Sequence, residues 1–80
     1  MNINELRTDG ILFLQSTING EFEGFDEGTS FELINGDIWK QRTYEYWHFK
    51  SFNQQVSIYQ YKSRYYLVVE EYDKHTLIVK

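Results

Sequence analysis

From Ile11 onward, threonine, valine, isoleucine, tyrosine and phenylalanine recur in short runs that turn residues interrupt every eight to twelve positions. That rhythm predicts strands over roughly 11–15, 17–25, 29–34, 37–46, 54–61, 64–70 and 76–80. Ahead of them, Asn2 followed by Glu5 reads as a capping box for a helical turn over Ile3 to Thr8 ended by Gly10, or as a frayed end. The sequence has no internal repeat, no low-complexity segment and no proline- or serine-rich linker, so residues 1–80 are read as a single domain.

The sharpest local signal is Asn35-Gly36, because a two-residue type I′ hairpin needs positive φ at both positions. Such a turn sets Leu33 against Ile38, Glu32 against Trp39, Phe31 against Lys40 and Ser30 against Gln41. Phe31, Leu33 and Ile38 then share the core face, and Trp39 and Gln41 project from the other side, unless a bulge near Lys40 turns the strand over. A second hairpin with Lys62-Ser63 at its turn pairs Gln60 with Tyr65, Ile58 with Leu67 and Val56 with Val69, an apolar set whose reverse face carries Tyr59, Tyr61, Arg64 and Tyr66. A three-residue turn would set Ile58 against Val68 and lose that set. Gly20, Gly24 and Gly28 fall at intervals of four, where backbone can bend sharply. The expected fold is all-β: a small five- to seven-stranded antiparallel barrel of the SH3-like kind, or a strongly bent sheet, with one short N-terminal helical turn.

So short a chain buries only about 60% of its extended surface, and with no cysteine it has neither disulfides nor a Cys-based zinc site to add stability. Bulky rings or self-association must supply the rest, and aromatics make up 19% of the residues. The longest apolar run, Ile11 to Leu14, is far short of a membrane span, and MNINELRTDG lacks the basic start of a secretory signal. The expectation is a cytoplasmic protein with no membrane partner.

Charge is segregated. Residues 1–37 carry Arg7 against eight acids, net −7, whereas residues 38–66 carry Lys40, Arg42, Lys50, Lys62 and Arg64 against Glu45, net +4. Ten of the fifteen aromatic residues lie in that basic middle. The coincidence keeps single-stranded nucleic acid in view, with those five cations on phosphates, although a pI near 5.0 is far below that of an ordinary nucleic-acid module. Attraction between the two halves, within the fold or between subunits, explains the segregation more simply.

No catalytic set emerges. Only His48 and His75 could act as imidazole bases, neither sits in a motif, and DEG at 26–28 lacks the alternating oxygens of a calcium loop. The glycines are not a phosphate cradle either, because Glu21, Glu23, Asp26 and Glu27 surround them and no lysine follows. No cofactor or metal is expected. Ile38 to Phe49, IWKQRTYEYWHF, holds six aromatic or imidazole rings in twelve residues, with Tyr44, Tyr46 and His48 on one strand face and Trp47 and Phe49 on the other. One side can be core. The other, with Trp39, Gln41, Tyr59 and Tyr61, makes a patch that needs a cover.

INGEFEGF, FELINGDIWKQ, YEYWHF and VSIYQYKSRYYLVVE together resemble a group of short bacterial proteins of the integron and mobile gene cassette type. The group shares a G-x-F-x-G-[WF] stretch followed by NG-x-[IV]-W-x-Q. Gly20, Phe22, Gly24, Phe25, Asn35, Gly36, Ile38, Trp39, Gln41, Tyr44 and Tyr46 stand at the matching places, while Glu71 replaces the glycine that relatives tend to show near the end. The resemblance implies a free-standing bacterial protein that self-associates, and carries no activity. The expected function is a non-enzymatic binding or assembly module that self-associates or meets a protein partner through Trp39, Gln41, Tyr44, Tyr46, Trp47, His48, Tyr59 and Tyr61. The alternatives are a single-stranded nucleic-acid-binding small barrel and a small-molecule pocket at a subunit interface.

Overall fold

Asn2 starts the first element by the local rule that a short polar side chain satisfies an orphan helix N–H: its Oδ1 accepts from the Glu5 N–H at 2.8 Å. Helix α1 runs Ile3–Asp9 and stops at Gly10, whose N–H donates to the Leu6 carbonyl. This computed structural model describes residues 1–80. Eight strands follow: β1 (Ile11–Thr17), β2 (Glu21–Phe25), β3 (Ser30–Glu32), β4 (Ile38–Gln41), β5 (Trp47–Phe52), β6 (Gln55–Tyr61), β7 (Arg64–Val69) and β8 (Lys74–Val79), with a 3-10 turn at Glu70–Tyr72. No helix is long and apolar enough to cross a membrane.

Six strands form one antiparallel sheet in the order β1-β6-β7-β8-β4-β3, and β2 pairs with β5 as a separate ribbon. The sheet bends until its two edges touch at one bridge, Ile18 to Leu33, flanked by the Ile34 N–H on the Thr17 carbonyl and the Asn19 N–H on the Glu32 carbonyl. No continuous ladder joins them, so the architecture is the strongly bent sheet rather than a closed barrel. Inside the bend lie Phe22, Phe25, Phe31, Leu33, Trp39, Val56, Ile58, Leu67, Val69 and Ile78. Gly24 is what lets β2 hug β5: it sits at a bulge with φ +83°, and a Cβ there would collide with the Trp47 carbonyl oxygen.

The Lys62-Ser63 hairpin forms as expected, both turn residues having positive φ and Gln60, Ile58 and Ser57 opposing Tyr65, Leu67 and Val68. The outer face of this hairpin is covered, because α1 packs against β6 and Leu6, Ser57 and Val68 are fully buried outside the main core. Arg7 fastens the helix by ion pairs to Glu70 at 2.9 Å and Asp73 at 2.8 Å.

The Asn35-Gly36 hairpin differs. Only Gly36 takes positive φ, the Asn35 Oδ1 accepts from the Asp37 N–H at 2.9 Å, and the Leu33 N–H reaches the Asp37 carbonyl. The loop therefore holds three residues, and Phe31 pairs with Trp39 instead of Lys40. That one-residue slip exchanges the faces of β4, turning Trp39 and Gln41 inward and leaving Ile38 outside. Three further strand boundaries also change. The predicted 17–25 strand breaks around Gly20, the 37–46 strand ends at Gln41, and Trp47–Phe52 is a strand of its own.

Candidate binding groove and open edge

The structure disperses the aromatic face. Trp39 is 3% exposed within the core, and its indole N–H is the one buried side-chain donor without an acceptor. Gln41 is committed to the fold: its Nε2 donates to the carbonyls of Thr43 and Glu45, both at 2.8 Å, and its Oε1 accepts from the Asp26 N–H at 3.0 Å. Trp47 stacks on Phe49 at 4.8 Å, and Tyr72 closes over Phe49 at 4.6 Å. Tyr59 and Tyr61 donate their hydroxyls to Glu70 and Glu5 at the helix side. Burial, then the Glu70 contact, raises the Tyr59 phenol above its ordinary value, and the bond to Glu5 does the same for Tyr61.

Tyr44 and Tyr46 do remain in water, 84% and 74% exposed, with the Tyr46 ring 6.5 Å from that of His48. Their neighbourhood is acidic. Glu27 raises the Tyr44 phenol, and Tyr46 and His48 flank a hollow lined by Glu21, Glu23, Asp26 and Glu32. A phosphate would be repelled there. Lys40 and Lys50 sit exposed on β4 and β5, and Lys62 lies over the Tyr61 ring at 5.2 Å, so these three cations do not converge.

Arg42 and Arg64 do share a groove, with Trp39 and with two rings, Phe13 and Tyr65, that the sequence had not singled out. At one end of the bent sheet, residues of β1, β4, β7 and β8 and their flanks border an open groove of about 610 Å³. Tyr65, the second residue of β7, lies on the core face, since it opposes Gln60 and Ile78, and Trp39 reaches it from β4 with ring centroids 5.3 Å apart. A bulge between Leu12 and Leu14 releases Phe13 from the ladder and swings it edge-on to Tyr65 at 5.0 Å. Lys80 lies over the Trp39 ring at 5.2 Å and makes a 3.4 Å ion pair with Asp37. Arg42 and Arg64 line the same groove and form no ion pair. Phe13, Tyr65 and Lys80 were missed because they come from β1, from β7 and from the residue just after β8. The register of the second hairpin did place Tyr65 on the apolar face.

The larger hollow, about 750 Å³, contains Glu70 and Glu71, but Arg7 and Tyr59 occupy Glu70 and the Gln54 amide occupies Glu71. Nowhere do three His, Asp or Glu side chains converge as metal ligands would. The second notable surface is the edge of β1. One side of this strand pairs with β6, and on the other a backbone partner first appears at Thr17. Ile11, Leu12 and Phe13 are 68%, 47% and 52% exposed, and ILFLQST contains neither charge nor proline. Compared with protein-family models, curated proteins and solved structures, the chain matches none.

Proposed function

We propose that the chain is a non-enzymatic assembly module that pairs with a second copy of itself through the open edge of β1. The observation that carries this reading is the chemistry of that edge. A row of unpaired N–H and C=O groups is a template for another strand, and proteins that must stay monomeric blunt such edges with charge, proline, bulges or cover. Here the free stretch Ile11–Ser16 has neither charge nor proline, its one irregularity is the bulge at Phe13, and it begins with three consecutive exposed apolar residues. Antiparallel pairing of two such edges about a two-fold axis closes the assembly and brings no like charges together within the strands. The resemblance to cassette-type bacterial proteins, which commonly self-associate, supports the same reading. The working form is then a cytoplasmic homo-oligomer in which two bent sheets become one.

Sedimentation equilibrium or light scattering from about 10 μM to about 1 mM tests this, because a six-residue edge contact is small enough to need micromolar concentrations. The wild type is expected to be dimeric in that range, and Leu12→Lys monomeric with an unchanged circular dichroism spectrum. A wild type that stays monomeric throughout, or a Leu12→Lys protein that still dimerises, refutes the proposal.

A further inference from the structure

We infer that the groove at the open end of the sheet is a nucleotide site, its rings taking a planar base and its guanidinium groups the phosphate. The chain is acidic overall, at −4, yet this groove gathers three cations, and Arg42 and Arg64 have no carboxylate to neutralise them. Two unpaired guanidiniums beside a hollow favour an anion that accepts in bidentate fashion, as phosphate does. The floor beside them is aromatic. Phe13, 52% exposed, meets the half-buried Tyr65 ring at 5.0 Å, and the buried Trp39 backs Tyr65 at 5.3 Å, so Phe13 and Tyr65 are the rings a base can reach. A volume near 610 Å³ lies within the range of small-ligand sites.

The other surfaces suit a nucleotide less well. The hollow beside Tyr46 and His48 carries four carboxylates, and Tyr59 and Tyr61 are hydrogen-bonded to glutamates. Charge complementarity therefore selects one end of the molecule. The chemistry is common to a free nucleotide and to a nucleotide within a single strand, and each phosphate neutralised in a strand adds salt dependence. The groove shares Phe13 with the β1 edge, but Leu12 does not line it and Arg42 and Arg64 are not on β1, so Leu12→Lys and the arginine variants test the two surfaces separately.

The test is anisotropy of a labelled ten-residue oligothymidylate, with competition by AMP, at about 50 mM and about 200 mM salt. The expected result is micromolar binding that weakens about 7- to 18-fold across that change, the effect of two to three phosphate contacts to a single strand. The double variant Arg42→Glu/Arg64→Glu should lose at least tenfold more, while Lys50→Glu on β5 should bind as the wild type does. Both arginines are exposed, so the double variant keeps its fold, which circular dichroism verifies. Displacement by micromolar AMP identifies the free nucleotide as the ligand, and displacement only by excess oligonucleotide identifies the strand. Absence of both oligonucleotide binding at low salt and AMP-induced shifts in Arg42, Arg64 and Tyr65 amide resonances overturns the proposal. So does binding that survives the double charge reversal.

Discussion

Replacing Gln41 with leucine removes three hydrogen bonds while keeping the volume of a side chain that is only 6% exposed. Each bond contributes about 1 kcal/mol net, so the gross loss is about 3 kcal/mol. Burying a leucine in place of an amide returns part of it, and the carbonyls of Thr43 and Glu45 lie in a surface segment where water can reach them. A net cost of about 2 kcal/mol is expected. For a chain of this length that lowers the melting midpoint by about 8–16 °C. Thermal denaturation followed by circular dichroism measures the shift, and amide exchange locates it: the Asp26 N–H, which now donates to Oε1, should lose protection while the β6 and β7 amides keep theirs. Gln41→Glu preserves the acceptor for Asp26 but points a carboxylate at two carbonyl oxygens. It should fall below the leucine variant at neutral pH and recover in acid, where the protonated carboxyl regains a donor. If Gln41→Leu melts within about 2 °C of the wild type, the amide is not a clasp and the reasoning fails.

Three other outcomes follow from the same geometry. Trp39→Ala should cost about 3–5 kcal/mol, as core truncations of large rings do, whereas Trp39→Phe, a milder change, should leave the dimerisation constant untouched; a shift in that constant would return Trp39 to the interface. Gly24→Ala should cost at least about 3 kcal/mol, because the left-handed backbone and the collision with the Trp47 carbonyl add, and a urea midpoint equal to the wild type would show that β2 can lift off β5 freely. Burial draws the His75 imidazole below its ordinary 6.5, against the pull of Glu45. The unfolded chain then binds the proton more readily, so this contribution to stability is complete above pH 6.5 and declines as pH falls through 6.5 toward the folded value. His75→Gln should flatten that part of the urea-midpoint profile between pH 8 and 5, and parallel profiles would contradict it.

Some of this fold was open to inspection in the sequence, and the difference lies in how local each cue is. Val56, Ile58, Leu67 and Val69 alternate so strictly around Lys62-Ser63 that only one register buries them, and the structure keeps it. Asn2 and Glu5 likewise announce α1 through a bond three residues long. Asn35-Gly36 misled because asparagine has two uses in a turn, adopting positive φ or bonding the backbone two residues on. Here it takes the second, and every face assignment in β4 changes with it. YEYWHF offers rings to both sides, so periodicity could not reveal that a new strand begins at Trp47. The groove was least legible of all. A bulge brings Phe13 to its rim, and no residue type in ILFL marks a bulge.

The pairing of β1 with β6 has a consequence in time. Ile11 opposes Gln60 and Thr17 opposes Gln55, whereas β6, β7 and β8 follow one another through short turns. The three-stranded meander can therefore nucleate from neighbouring residues, while β1 must wait for a distant partner and for the loop entropy of everything between. During synthesis at roughly 5–20 residues per second, the apolar ILFL segment precedes its partner by several seconds. Throughout that interval the segment is an unpaired, uncharged strand on a nascent chain. Yield of native protein should therefore depend on translation speed and growth temperature more steeply than its equilibrium stability alone would dictate.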